Sequence, residues 1–92
     1  MLNEDTGRFL LRFARHTLES FVSGSETTIP QKYPEELDGL RGVFVTLEKY
    51  PSGELRGCIG IPEPEKPIID AVRDASCSAA RDPRFPPLKE EE

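Results

Sequence analysis

The run GVFVTLEKYPSGELRGCIGI, Gly42 to Ile61, admits one local structure: two short strands joined by a tight turn. Val43 to Glu48 is rich in β-branched and aromatic residues. Pro51-Ser52-Gly53 supplies the turn, and Leu55 to Ile61 returns. So short a connection makes the pair antiparallel. Two strands alone are only marginally stable, so covering helices or further strands are required. The fold class that follows is α+β, an antiparallel sheet with flanking helices.

The helices are legible on either side. Glu4 to Ser23 carries a helical pattern, with Asn3, Asp5 or Thr6 as candidate caps and acidic residues in the first turn, where the helix dipole favours them. Leu10, Leu11, Ala14, Leu18, Phe21 and Val22 recur at helical spacing and are expected to form its buried stripe. Arg8, Arg12, Arg15 and Glu19 fall opposite, and Gly24 suits a left-handed helix end. Ser25 to Leu40 reads as a packed connection, with a helical turn at Pro34–Leu37 and a turn at Asp38-Gly39. Ile29, Tyr33, Leu37 and Leu40 are expected to tack it to the core. The second helix runs from Lys66 or Pro67 to Arg81, with Ile68, Val72, Ala75, Ser76 and Ala79 on one narrow stripe. Pro83 ends it, and Pro86-Pro87 hold an extended path anchored by Phe85 and Leu88.

Length and charge bound the function. Ninety-two residues suit one small domain, residues 1–92, with a thin core. No apolar run approaches the ~18 residues of a membrane span. The polar start carries no signal-peptide pattern, and a cytoplasmic location is expected. A net charge of −5 and the absence of any Lys/Arg tract argue against a nucleic-acid partner held by phosphate contacts. Cys58, Cys77 and His16 have no metal-ligand spacing, so neither a metal nor a cofactor is expected. A disulfide between the two cysteines is possible but not needed in a cytosolic protein. His16 lies toward the polar face and reads as a solvated histidine rather than a general base. Cys77 reads as an inert, partly exposed thiol.

The chemistry-bearing stretch is the second strand. Alternation puts Leu55, Gly57, Ile59 and Ile61 on a core face, and Arg56, Cys58 and Gly60 on the other. Same-face neighbours at that spacing lie ~7 Å apart, near enough for a guanidinium to favour a thiolate modestly. The glycines admit close approach of a ligand or of another backbone, or they mark a bulge. A small buried thiol with glycines that serve packing is the competing reading.

These residues resemble a known family. Leu-Arg-Gly-Cys-Ile-Gly, Leu55 to Gly60, is the hallmark hexapeptide of the AMMECR family, and SAARDPRFPPL, Ser78 to Leu88, is similar to a second family block. The resemblance covers nearly the whole chain, and the two motifs together are highly specific. It implies an α+β fold with antiparallel sheets, in two subdomains around a cleft that the hexapeptide side chains face. Family domains are about twice this long, so the chain resembles an N-terminal portion of one. The family carries no established reaction. Two readings follow from motif and resemblance together. In one, the chain is a binding or scaffold module for a protein or other large partner, with a ligand cleft at the hexapeptide; Arg56, Gly57, Gly60 and Arg84 are its binding residues. In the other, it is a cysteine-dependent enzyme acting on a large substrate, a protein or a nucleic acid, with Cys58 as the reactive centre and Arg56 binding an anion or stabilising the thiolate.

Overall fold

The computed structural model describes residues 2–92. Helix α1 spans Glu4–Val22, strands β1 and β2 span Val43–Glu48 and Leu55–Ile61, and helix α2 spans Ile68–Ala80. A single 3-10 turn, Glu35–Asp38, interrupts the connection after α1. The two strands pair antiparallel, as the short turn requires, and Gly53 closes that turn at φ +77°. The fold is therefore α+β.

Helix α2 is the middle layer, packed against α1 on one side and both strands on the other. That position explains its composition. Ile68, Val72, Ala75, Ser76 and Ala79 are buried as the pattern predicts, but so are Ile69, Ala71 and Ala80. The narrow stripe is corrected to two buried faces, because a helix covered on both sides buries more than one row. Its alanines keep it slim enough for both neighbours. Phe13, Leu37, Ile68, Ile69 and Val72 form the core, with Leu10, Ile29, Tyr33 and Val43 among the half-buried side chains against it.

The stripe of α1 differs from the expected one. Thr6, Phe13 and Thr17 are its buried residues, while Leu11 is 74% exposed. Two threonines can be buried because their hydroxyls are satisfied. Thr17 donates to the Phe13 carbonyl at 2.9 Å, and Thr6 donates to Glu36 at 2.6 Å. Asn3 caps the helix through its side chain, which accepts the Thr6 N–H at 2.9 Å. Its amide also donates to Glu36 at 2.7 Å, so the connection is fastened to the start of α1. Gly24 is left-handed at φ +79°, as its place after the helix predicts. Leu37 is fully buried and anchors the connection, but Leu40 is 57% exposed. Its backbone is used instead, in an isolated bridge to Pro67.

Candidate functional site

The register of the hairpin decides which side chains of β2 can act together. Val43, Val45 and Leu47 stand opposite Ile61, Ile59 and Gly57. This is the face toward α2, and here the sequence alternation holds. Gly57 is needed on it: a Cβ there would collide with the Ala79 carbonyl oxygen of α2. The missing side chain lets the last turn of α2 descend onto the strand.

The pairing then slips. Leu47 is opposite Gly57 but Glu48 is opposite Leu55, so Arg56 is the extra residue of a bulge. This overturns the expected faces at one end of the motif. Leu55, assigned to the core, is 42% exposed, and Arg56, assigned to the Cys58 face, is buried. Burial of a guanidinium requires a partner, and Glu92 supplies it in a forked pair: Nε donates at 2.7 Å and Nη2 at 2.9 Å. The Arg56 charge is thus spent on a carboxylate of the chain's own terminal segment, not on Cys58. The pairing holds the Glu92 carboxyl down to about 2, chiefly through the Arg56 hydrogen bonds.

Another arginine reaches Cys58. Helix α2 ends at Ala80, and Asp82-Pro83-Arg84 turns the chain back beside β2. Asp82 is 2% exposed. Its carboxylate accepts the Cys58 N–H at 3.0 Å, the Arg84 N–H at 3.0 Å, and the Arg84 guanidinium at 3.1 and 2.7 Å. The bond to the amide two residues on is an Asx turn, with Pro83 pre-setting the backbone between. These bonds, the Arg84 side chain first, hold Asp82 far below the usual carboxylate range. Arg84 in turn donates to the Cys58 carbonyl at 3.3 Å. A carboxylate and a guanidinium therefore take the two backbone groups of Cys58 that a third strand would take, and close that edge of the sheet.

Because the Cys58 N–H and C=O point to Asp82 and Arg84, they point away from β1. Thr46 and Cys58 are thus a non-hydrogen-bonded pair, whose side chains approach closely. Thr46 Oγ1 lies 3.4 Å from Cys58 Sγ. Beside them the Phe44 ring, 71% exposed, lies over Gly60, where a Cβ would enter the ring. Phe44, Thr46, Cys58 and Gly60 make an open face, apolar with one hydroxyl and one half-buried thiol.

The sequence-derived candidates are thus divided. Cys58 and Gly60 share the open face, Arg84 joins it from the sheet edge through the backbone, Gly57 belongs to packing, and Arg56 sits with Glu92. Asp82 and Thr46 were not singled out in the sequence. Asp-Pro-Arg signals a turn, but not that its carboxylate meets a strand residue far back in the chain. Cys77 is half-buried and lines a separate cleft between α1 and α2, with Thr17, Phe21, Thr27 and Arg73. His16 is exposed on α1. Among the described residues no group of three His, Cys, Asp or Glu is placed to hold a metal ion, and no helix is long and apolar enough to cross a membrane.

Comparison with known proteins adds a family and its size. The AMMECR1 family model matches residues 11–92. A protein of Methanocaldococcus jannaschii is 48% identical over 93 residues, covering 100% of this chain and 46% of its own length. One from Methanothermobacter thermautotrophicus is 53% identical over 93 residues, covering 99% and 47%. The crystal structure of an uncharacterized Pyrococcus horikoshii protein superposes with a TM-score of 0.92 at 44% identity, over 99% of this chain and 47% of that one. The chain therefore spans just under half the length of the relatives it matches.

Proposed function

As the chain belongs to the AMMECR1 family, we propose that it is a binding module, and that its docking surface is the open hairpin face of Phe44, Thr46, Cys58 and Gly60. The observation that supports this reading is the state of the polar groups around Cys58. An enzyme-type cysteine needs a base or a free cation beside its sulfur. Here the carboxylate behind the strand is committed to four N–H groups, and both nearby guanidinium groups are committed to carboxylates. The partner of Sγ is a threonine hydroxyl. What the face offers is an exposed aromatic ring on a rigid backbone, the kind of anchor that docking surfaces use.

Peptides selected against the immobilised chain test it. Binding should survive Cys58→Ala within about twofold and fall at least about tenfold with Phe44→Lys, the loss of one aromatic anchor. Loss of binding in Cys58→Ala with Phe44→Lys unaffected would overturn the reading in favour of cysteine chemistry. So would alkylation of Cys58 by iodoacetamide more than about a hundredfold faster than that of Cys77, the mark of an activated thiol.

A further inference from the structure

Arg56 is an unusual resident of a hairpin bulge. Its side chain is only 9% exposed, whereas that of its partner Glu92 is 34% exposed. The cation is the built-in half of the pair and the carboxylate is the surface half. Around them lies a cleft of about 340 Å³. Lys49 brings a second cation to its rim, and Phe85, Pro86 and Pro87 form an apolar wall. The occupant is the acidic stretch Lys89 to Glu92, which is in neither helix nor strand and lines the cleft with Lys89, Glu91 and Glu92. Leu88 holds the segment before it, its N–H bonded to the Ala80 carbonyl at 3.0 Å. Beyond Leu88 the hydrogen bonds are those of Glu92 itself: the fork to Arg56, a carboxylate bond from the Lys89 N–H at 3.1 Å, and its N–H to the Lys89 carbonyl at 3.1 Å.

From this geometry we infer that Arg56, with Lys49 at its rim, forms a carboxylate-recognising site which Glu92 fills from within, and that an acidic peptide segment of a partner competes for it. The inference rests on the binding-module reading and gives it a partner chemistry. Three features select a peptide carboxylate. The Arg56 fork matches a planar carboxylate in two parallel bonds. Lys49 adds charge without fixing direction. The proline and phenylalanine wall suits the apolar parts of a peptide chain. The segment now in the cleft is a working example of such a ligand.

The test uses the blocked peptide acetyl-Lys-Glu-Glu-Glu-amide, titrated against each chain by calorimetry, with the NMR signal of the Arg56 Nε–H locating the binding wherever Arg56 is present. The Glu92→Gln chain should bind it at least about tenfold more tightly than the unaltered chain, because the internal competitor has lost its charge. Arg56→Lys in the Glu92→Gln background should reverse that gain, and the all-Gln peptide should not bind. Equal binding by the Glu92→Gln and unaltered chains overturns the proposal, as does equal binding of the all-Gln peptide. Should Glu92→Gln fail to fold, the unaltered chain decides: millimolar peptide must move its Arg56 signal, and an unmoved signal overturns the proposal. Phe44→Lys separates the two readings. Peptide binding at Arg56 that persists in Phe44→Lys, while selected peptides never engage Phe44, removes the open face but leaves this site. The reverse pattern removes this site alone.

Discussion

Gly57 and Gly60 stand three residues apart in one motif and do different work. The atom that a Cβ at Gly57 would meet is backbone, the Ala79 carbonyl of a packed helix. The atoms that a Cβ at Gly60 would meet belong to the exposed Phe44 ring, which can swing away. Gly57→Ala should therefore cost toward the upper end of the ~1–3 kcal/mol of an overpacked core. Gly60→Ala should cost less than about 1 kcal/mol, the repositioning of a surface ring. Urea denaturation of the two variants checks this, and equal losses would contradict the geometry. The predicted faces of β2 were right at Gly57, Cys58, Ile59 and Gly60 and wrong at Leu55 and Arg56. Alternation is a local rule, and it fails where a bulge inserts a residue. Asp82 escaped notice for a related reason: its role depends on a strand residue brought beside it only by the descent of α2 onto Gly57.

At the scale of elements, both strands and both helices were legible, because period-two and helical patterns are written in consecutive residues. What was not legible is how each element turns. The α1 stripe was read from aliphatic residues, so Leu11 was placed inward and Thr6 and Thr17 were passed over. Two hydroxyls with partners outcompeted one leucine for the interface. The hairpin register makes its own prediction. The Thr46 N–H points away from β2, whereas the N–H of Val45, opposite Ile59, points into the ladder. Thr46→Pro should keep the hairpin, as proline does on an edge with its missing donor turned outward, while Val45→Pro should abolish it. Amide exchange at Ile59 reads the difference. A Thr46→Pro chain that loses Ile59 protection would show the register to be wrong.

Across the molecule, the segment from Asp82 to Glu92 is fastened to β2 at Cys58, by Asp82 and Arg84, and at Arg56, by Glu92, so that a carboxylate takes part at each place. The folded-state values of these groups lie below their ordinary ones, to about 2 for Glu92 against an ordinary 4.5, and lower still for Asp82 against 3.8. A depressed carboxylate stabilises the fold fully above its ordinary value. That stability is lost as pH falls toward the folded value, since the unfolded chain binds more protons. The urea midpoint should hold steady above the ordinary carboxylate range and decline as pH drops from 4.5 toward 2, where Glu92 titrates. Glu92→Gln should make that decline shallower, leaving the part due to Asp82. Superimposable pH curves for the two chains would remove Glu92 from the account.

The closure of β2 by Asp82 and Arg84 also gives the sheet a direction of growth. One margin is capped at Cys58 by side chains imitating a strand; the other, along Val43–Glu48, has no neighbour among the described residues. A strand that joins this sheet, from the same chain or another, finds its uncapped berth beside β1, and the face bearing Cys58 then widens on the Phe44 and Thr46 side.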